Sequence, residues 1–289
     1  MATTSEHEWD LVIEPKKSVF RLNVKEIWIY RDLIALFVRR DFVAVYKQTI
    51  LGPLWHIVQP LLTTITFTVI FGRVAKLAPS DIPNILFYMS GIVTWSYFAN
   101  TVTKTSKTFI GNASLFGKVY FPRLVMPIAV SISNLIAFSI QIVTFLAFLA
   151  WFIIFDDTFQ FELRPELLML PVLVVIMAFL GLGFGIIVSS LTTKYRDLSF
   201  LVGFGVQLLM YASPVIFPLN MQQLLDKPII LGFIRLNPMT SIIESVRVAF
   251  FGGNLDWHGL IYTVVFTFVT LLFGIVLFNR VEKTFTDTI

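Results

Sequence analysis

The sequence predicts an all-α, polytopic membrane protein. It has six transmembrane helices, an N-terminal amphipathic interfacial helix, and short re-entrant helices before the last span. Three observations predict this. Hydrophobic residues make up 56% of the chain and charged residues 14%, against about half and a quarter in soluble domains. The charges are bunched, leaving uncharged runs at 48–72, 82–103, 124–155, 167–193, 198–225 and 259–279, each long enough for the ~20 residues that cross a ~30 Å hydrocarbon layer. None of the runs alternates with period 2, so helices, not barrel strands, must satisfy the backbone. Mean hydropathy is +0.81.

Residues 1–50 form a polar tail and then the interfacial helix. Met1–Asp10 is polar and acidic and does not read as a signal peptide. Asn23 and Glu26 have capping-box spacing. Ile27, Tyr30, Ile34, Phe37, Val38 and Val45 then fall on one helical face, with Lys25, Asp32, Arg39 and Arg40 opposite. Such a helix lies at a membrane surface with Trp28 and Tyr30 at headgroup level, or packs on the protein's own spans.

The transmembrane domain covers 51–279. Its first span, 52–72, opens with Gly52-Pro53, a proline suited to a first helical turn. The second, 82–103, begins near Pro83 and is rich in aromatic residues. A segment at 104–123 has room for a short helix that Phe121-Pro122 should end. The third span, 124–155, exceeds the bilayer and should tilt or project. The fourth, 167–192, carries Gly181 and Gly185 at the G-x-x-x-G spacing that admits a close neighbour. The fifth is placed at 198–217. Residues 218–256 hold Pro218, Pro228 and Pro238 and no stretch long enough to cross, so they should dip in and return. The last span is 259–279, and 280–289 is a tail.

Sixteen Lys and Arg fall on the side of the two termini and six on the other. The side rich in basic residues stays in the cytoplasm, so both termini are expected there.

Several chemistries are excluded. The six spans lack Asp, Glu, Lys and Arg, which argues against proton pumps and ion-driven carriers. The chain has no cysteine and hence no disulfide or thiolate chemistry. His7, His56 and His258 are too scattered for a metal site. The 111–119 stretch resembles a phosphate-binding loop, but five residues separate its glycines and Val119 stands where a hydroxyl is needed. Nothing points to nucleic acid. No catalysis and no bound cofactor are expected of this chain.

Polar stripes remain. His56, Gln59, Thr63 and Thr66 share a face, as do Ser131, Asn134, Phe138, Gln141 and Phe145, and Gln207 and Tyr211 share one with Gly203 and Phe204. They either bond helix to helix or line a conduit. Mixed aromatic and amide faces suit sugars, whose rings stack while their hydroxyls hydrogen-bond. The conduit candidates are His56, Gln59, Thr63, Gln207, Tyr211 and an aromatic stripe of Tyr88, Trp95 and Phe98. A stripe facing lipid would look the same.

From about residue 30 to 280 the chain resembles the membrane subunit of an ABC-2 type exporter, most closely the O-antigen, polysaccharide and teichoic-acid branch. The resemblance is carried by Arg39-Arg40-Asp41-Phe42, Tyr46-Lys47-Gln48, Leu51-Gly-Pro-Leu-Trp55, Gln59-Pro60-Leu61 and Val69-Ile-Phe-Gly72. Supporting pieces are Phe121-Pro122-Arg123, Tyr195-Arg-Asp-Leu198, Ser213-Pro-Val-Ile216 and Leu236-Asn-Pro238 with Glu244 and Arg247. It implies a homodimer in the bacterial cytoplasmic membrane and two copies of a separate ATPase that holds ATP and Mg2+. The implied substrate is a glycan on a polyprenyl pyrophosphate lipid. The ATPase would dock between the second and third spans, at Asn112, Leu115, Phe116, Lys118 and Tyr120. An outer gate would include Asn237, Glu244 and Arg247. Glu244 and Arg247 have ion-pair spacing, so reversing either should impair export and the double swap should restore part of it. The alternatives are a permease for lipids or drugs, and an integral-membrane transferase. The second would need a catalytic cluster that the spans do not offer.

Overall fold

The computed structural model describes residues 24–46, 49–116, 118–119, 121–192, 195 and 197–285. Helices account for the regular structure of these residues, and no strand occurs among them. Two helices, α1 (Val24–Ile29) and α2 (Arg31–Tyr46), form the N-terminal element and meet at Tyr30. The expected cap residue Asn23 and the tail before it lie outside the described residues. The first span is continuous over Gly52–Val74. It opens as a 3-10 turn, becomes α3 (Trp55–Phe67), and widens into a π-helical stretch, Thr68–Val74. Gly52 takes φ +49°, a conformation that favours glycine, and its N–H donates to Thr49 Oγ1 at 3.1 Å. Pro60 sits inside α3. The Thr64 hydroxyl donates to its carbonyl at 2.8 Å.

The centre of the molecule is α4 (Asn84–Ser106). Its residues from Leu86 to Trp95 are all buried. After it come two one-turn helices, α5 (Thr108–Gly111) and α6 (Ala113–Phe116), then α7 (Val125–Phe155). A 3-10 turn at Pro165–Met169 leads into α8 (Leu170–Thr192), followed by α9 (Leu198–Tyr211). Next are α10 (Gln222–Leu225), α11 (Pro228–Leu236), α12 (Pro238–Phe251) and the long α13 (Trp257–Phe285). Around α4 pack α3, α7, α8, α9 and α12, and α13 closes against α8 and α12.

Close approach of α8 to both neighbours depends on three glycines. A Cβ at Gly185 would lie 2.5 Å from Thr105 Cβ of α4, and one at Gly181 3.0 Å from Thr101 Cγ2. One at Gly183 would lie 3.1 Å from the Leu271 nitrogen of α13. The G-x-x-x-G pair therefore faces α4, while the glycine between them serves α13.

Among the described residues, four helices are long and apolar enough to cross a membrane: Gly52–Val74, Val125–Phe155, Pro165–Thr192 and Trp257–Val281. The α11–α12 pair, bent by 90°, would make a fifth if it counted as one span. Two of the six expected spans differ in kind. Helix α4 has the length but carries more polar residues, which its neighbours shield. Helix α9 ends at Tyr211, short of the expected 217, because the chain turns through Ser213-Pro214. Its 14 residues cover roughly 21 Å at 1.5 Å each.

Candidate functional site

At the end of the bundle near the N-terminal helices, α5 and α6 sit on a run of aromatic contacts. Phe109 meets Phe278 of α13 at 4.9 Å and Phe116 at 5.7 Å. Phe116 meets Phe121 at 5.5 Å, and Phe121 meets Phe37 of α2 at 5.8 Å. The Arg123 guanidinium lies 5.8 Å from the Phe116 ring. Leu115 and Phe116, expected as apolar anchors for the ATPase, are half-buried and pack against this series. The outward apolar residues here are Ile110 and Val119, with Lys118 exposed beside them. Asn112 is half-buried; its Nδ2 donates to the Thr108 carbonyl at 2.9 Å, and its own carbonyl starts α6. Tyr120 lies outside the described residues.

Within the bundle the polar stripes separate into two kinds. The α7 stripe bonds to α4: Ser96 Oγ donates to Gln141 Oε1 at 2.7 Å, Tyr97 Oη lies 3.3 Å from Ser131 Oγ, and Lys104 Nζ donates to Asn134 Oδ1 at 3.0 Å. These bonds join helices. Lys104 falls one residue beyond the expected end of the second span, yet α4 continues past it. With Asp41, His56 and Ser133 it lines a small cavity of about 250 Å³.

The conduit candidates also divide. Tyr88, Trp95 and Phe98 are buried in the main core, at 0%, 4% and 4% exposure. Tyr88 packs against Phe67 and Phe87, and Phe98 against Trp95 and Phe184. By contrast Gln59, Gln207 and Tyr211 are exposed, and His56 and Thr63 half-buried. They lie on α3 and α9, both of which rest on α4 and leave their outer faces uncovered. Phe200 and Phe204 extend the α9 face, and a Cβ at Gly203 would meet nothing within 4 Å.

At the other end, the α11–α12 bend is held by polar groups. Asn237 caps α12, its side-chain oxygen accepting from the Met239 N–H at 3.0 Å. Tyr262 and Thr263 of α13 donate to the Leu236 and Pro238 carbonyls at 2.8 and 3.1 Å. Arg247 is the centre of this region. Its side chain is 6% exposed and pairs with Glu244 Oε1 at 3.0 Å. The guanidinium also donates to the Pro214 carbonyl, to Val215 O at 3.1 Å and to Phe87 O at 3.5 Å, and lies 3.7 Å from the Phe87 ring centre. One side chain thus binds α12 to the turn after α9 and to the start of α4. Glu244, Arg247, Asp81, Arg235 and His258 border a cavity of about 870 Å³. The i, i+3 spacing was readable in the sequence; the three carbonyl acceptors were not, because they come from segments distant in the chain.

The arrangement offers apolar and polar surfaces. Among the described residues no group of three or more His, Cys, Asp or Glu could hold a metal ion.

Comparison with known proteins places these features in a family. The profile of the ABC-2 type transporter family matches residues 32–251. The chain is 29% identical over 260 residues to an O-antigen export system permease protein RfbA of Klebsiella pneumoniae, covering 89% of this chain and 94% of that one. It is 28% identical over 237 residues to RfbA of Myxococcus xanthus, covering 80% and 85%. It is 24% identical over 251 residues to the polysialic acid transport protein KpsM of Escherichia coli, covering 86% and 93%. These relatives carry the names of permeases and transport proteins, not of enzymes. The chain, a multi-pass membrane protein, therefore belongs to the ABC-2 type transporter family.

Proposed function

We propose that the chain is the channel-forming subunit of an ATP-driven exporter that moves a lipid-linked polysaccharide across the bacterial cytoplasmic membrane. The observation that carries this reading is the pair of uncovered faces on α3 and α9, where Gln59, Thr66, Gln207 and Tyr211 stand among exposed aromatic and aliphatic side chains, in a chain similar to permeases named for O-antigen export. A polymer must slide, so many weak and interchangeable contacts serve it better than one tight site. Two copies of the chain would face each other across these helices and enclose the path. In this reading α4 and α9 complete six spans, both termini lie inside, and the bend at α11–α12 forms the outer mouth. Energy would come from two copies of a partner ATPase holding ATP and Mg2+, seated against Ile110, Lys118 and Val119.

Deleting the gene in its native host tests the proposal. Lipid-linked glycan should accumulate inside and disappear from the surface, and the intact chain should restore it. Normal surface glycan in the deletion strain would overturn the reading.

A further inference from the structure

Helix α2 uses only part of its apolar surface against α7. Phe37 and its neighbours fill that contact with Phe121, Val125 and Met126. Beside it an open groove of about 810 Å³ runs between the two helices. Trp28, Ala35 and Phe42 wall one side and Ile128, Ile132 and Ile136 the other. The isoleucines recur every four residues, giving a carbon stripe roughly 12 Å long on α7. They occupy the first turns of a 31-residue helix, so the groove opens within one leaflet, the one beside the N-terminal helices. Its rim carries Arg31 and Arg39. The Arg31 guanidinium lies 5.7 Å from the Trp28 ring and 3.9 Å from Asp32, in a pair whose side chains are 60% and 94% exposed. Such a pair leaves the cation available to another anion. Arg39 is exposed and has no ion-pair partner among the described residues.

We propose that this groove is a binding site for an anionic phospholipid of the inner leaflet. One acyl chain lies between α2 and the isoleucine stripe, and the phosphate sits between Arg31 and Arg39. Two features select this occupant. The lining is almost wholly carbon at a depth where lipid tails are the solvent, and both charges on the rim are positive. An acidic headgroup is attracted by both guanidinium groups, which stand about two turns apart on α2, whereas a zwitterionic one brings its own ammonium toward them. The proposal rests on the cytoplasmic placement of α2, but its readout is lipid retention and not transport. Failure here leaves the export reading intact, and failure of export leaves the lipid measurement valid.

The test uses the full-length chain in nanodiscs containing phosphatidylglycerol, phosphatidylethanolamine and a phosphatidylglycerol with a photoreactive acyl chain. Crosslinks should map to residues 128–136 of α7. Native mass spectrometry should find phosphatidylglycerol retained over phosphatidylethanolamine. Each arginine removed in R31Q and R39Q should weaken that preference about fivefold, with thermal unfolding unchanged. Ile132→Trp should fill the groove and abolish the crosslink, while Ile132→Leu keeps it. Equal retention of the two lipids, or a preference untouched by R31Q/R39Q, would overturn the proposal. Crosslinks elsewhere would do the same. Displacement of phosphatidylglycerol by a smaller amount of polyprenyl phosphate would reassign the groove to a carrier lipid, and loss of retained lipid on adding the ATPase would reassign it to that subunit.

Discussion

Arg247 shows how a correct pairwise reading is incomplete. The sequence pairs it with Glu244, and an isolated pair would survive a reciprocal swap. In the structure the guanidinium also serves backbone carbonyls at Pro214, Val215 and Phe87, which a carboxylate at position 247 could only repel. Arg247→Met should lower stability by about 3–5 kcal/mol, the usual effect of breaking a buried pair from one side. The Glu244→Arg/Arg247→Glu double variant should unfold no later on heating than either single reversal; substantial recovery would reduce Arg247 to its ion pair. Labelling separates the conduit candidates at the same scale. With no native cysteine to remove, Tyr211→Cys should react with a water-soluble maleimide during transport. Trp95→Cys should stay unreactive, because the position is 4% exposed. A reactive Trp95→Cys beside an inert Tyr211→Cys would put the path on the other side of α4. The sequence named Tyr211 for the polar face it shares with Gln207 and Trp95 for its aromatic stripe with Tyr88 and Phe98. It could not separate them, since α4 is surrounded by α3, α7, α8, α9 and α12 and periodicity has nothing to report when every face is covered.

Helix α8 wedges between α4 and α13 on opposite glycines. Gly185→Ala would press a methyl group onto Thr105 and should cost about 1–3 kcal/mol, the usual penalty of overpacking. Gly203→Ala on α9 meets open space within the chain and should leave its thermal stability unchanged or raise it by up to ~1 kcal/mol. If Gly185→Ala melts like the wild type, the close contact of α8 with α4 is not what holds them together. The coupling segment gives a third element-scale test. Val119→Asp should weaken co-purification of the ATPase while the fold persists, because Val119 is 53% exposed. Full assembly with that variant would move the contact off this surface. The position of this element was legible from the break at Phe121-Pro122. Its outward face was not: Leu115 and Phe116 pack against Phe37, Phe121 and Phe109, which come from other parts of the chain, while Ile110, of the same size as Leu115, faces outward. The end of α9 was misjudged because an uncharged run measures solubility in lipid and is blind to a turn at Ser213-Pro214.

For the whole molecule, the distribution of basic residues predicts that reporters fused at Asp157 and Ile289 lie on opposite sides of the membrane. Matching signals from both would remove the six-span arrangement with its inward termini. The helical class, the long spans and the bend at 218–256 were written in charge spacing and proline positions, which act locally. The order of packing around α4 was not, because it depends on which faces meet. The Arg247 network also has a consequence for biogenesis. A lone arginine at the centre of a membrane helix costs about 2.5–3.5 kcal/mol to insert. Here every acceptor outside α12 to which the Arg247 guanidinium donates, the carbonyls of Phe87, Pro214 and Val215, precedes it in the chain. Synthesis runs from the N-terminus, so the carbonyls are already in place when the guanidinium leaves the ribosome. A circular permutation that made α12 before α4 and α9 would present the charge to the insertion machinery with nothing to receive it.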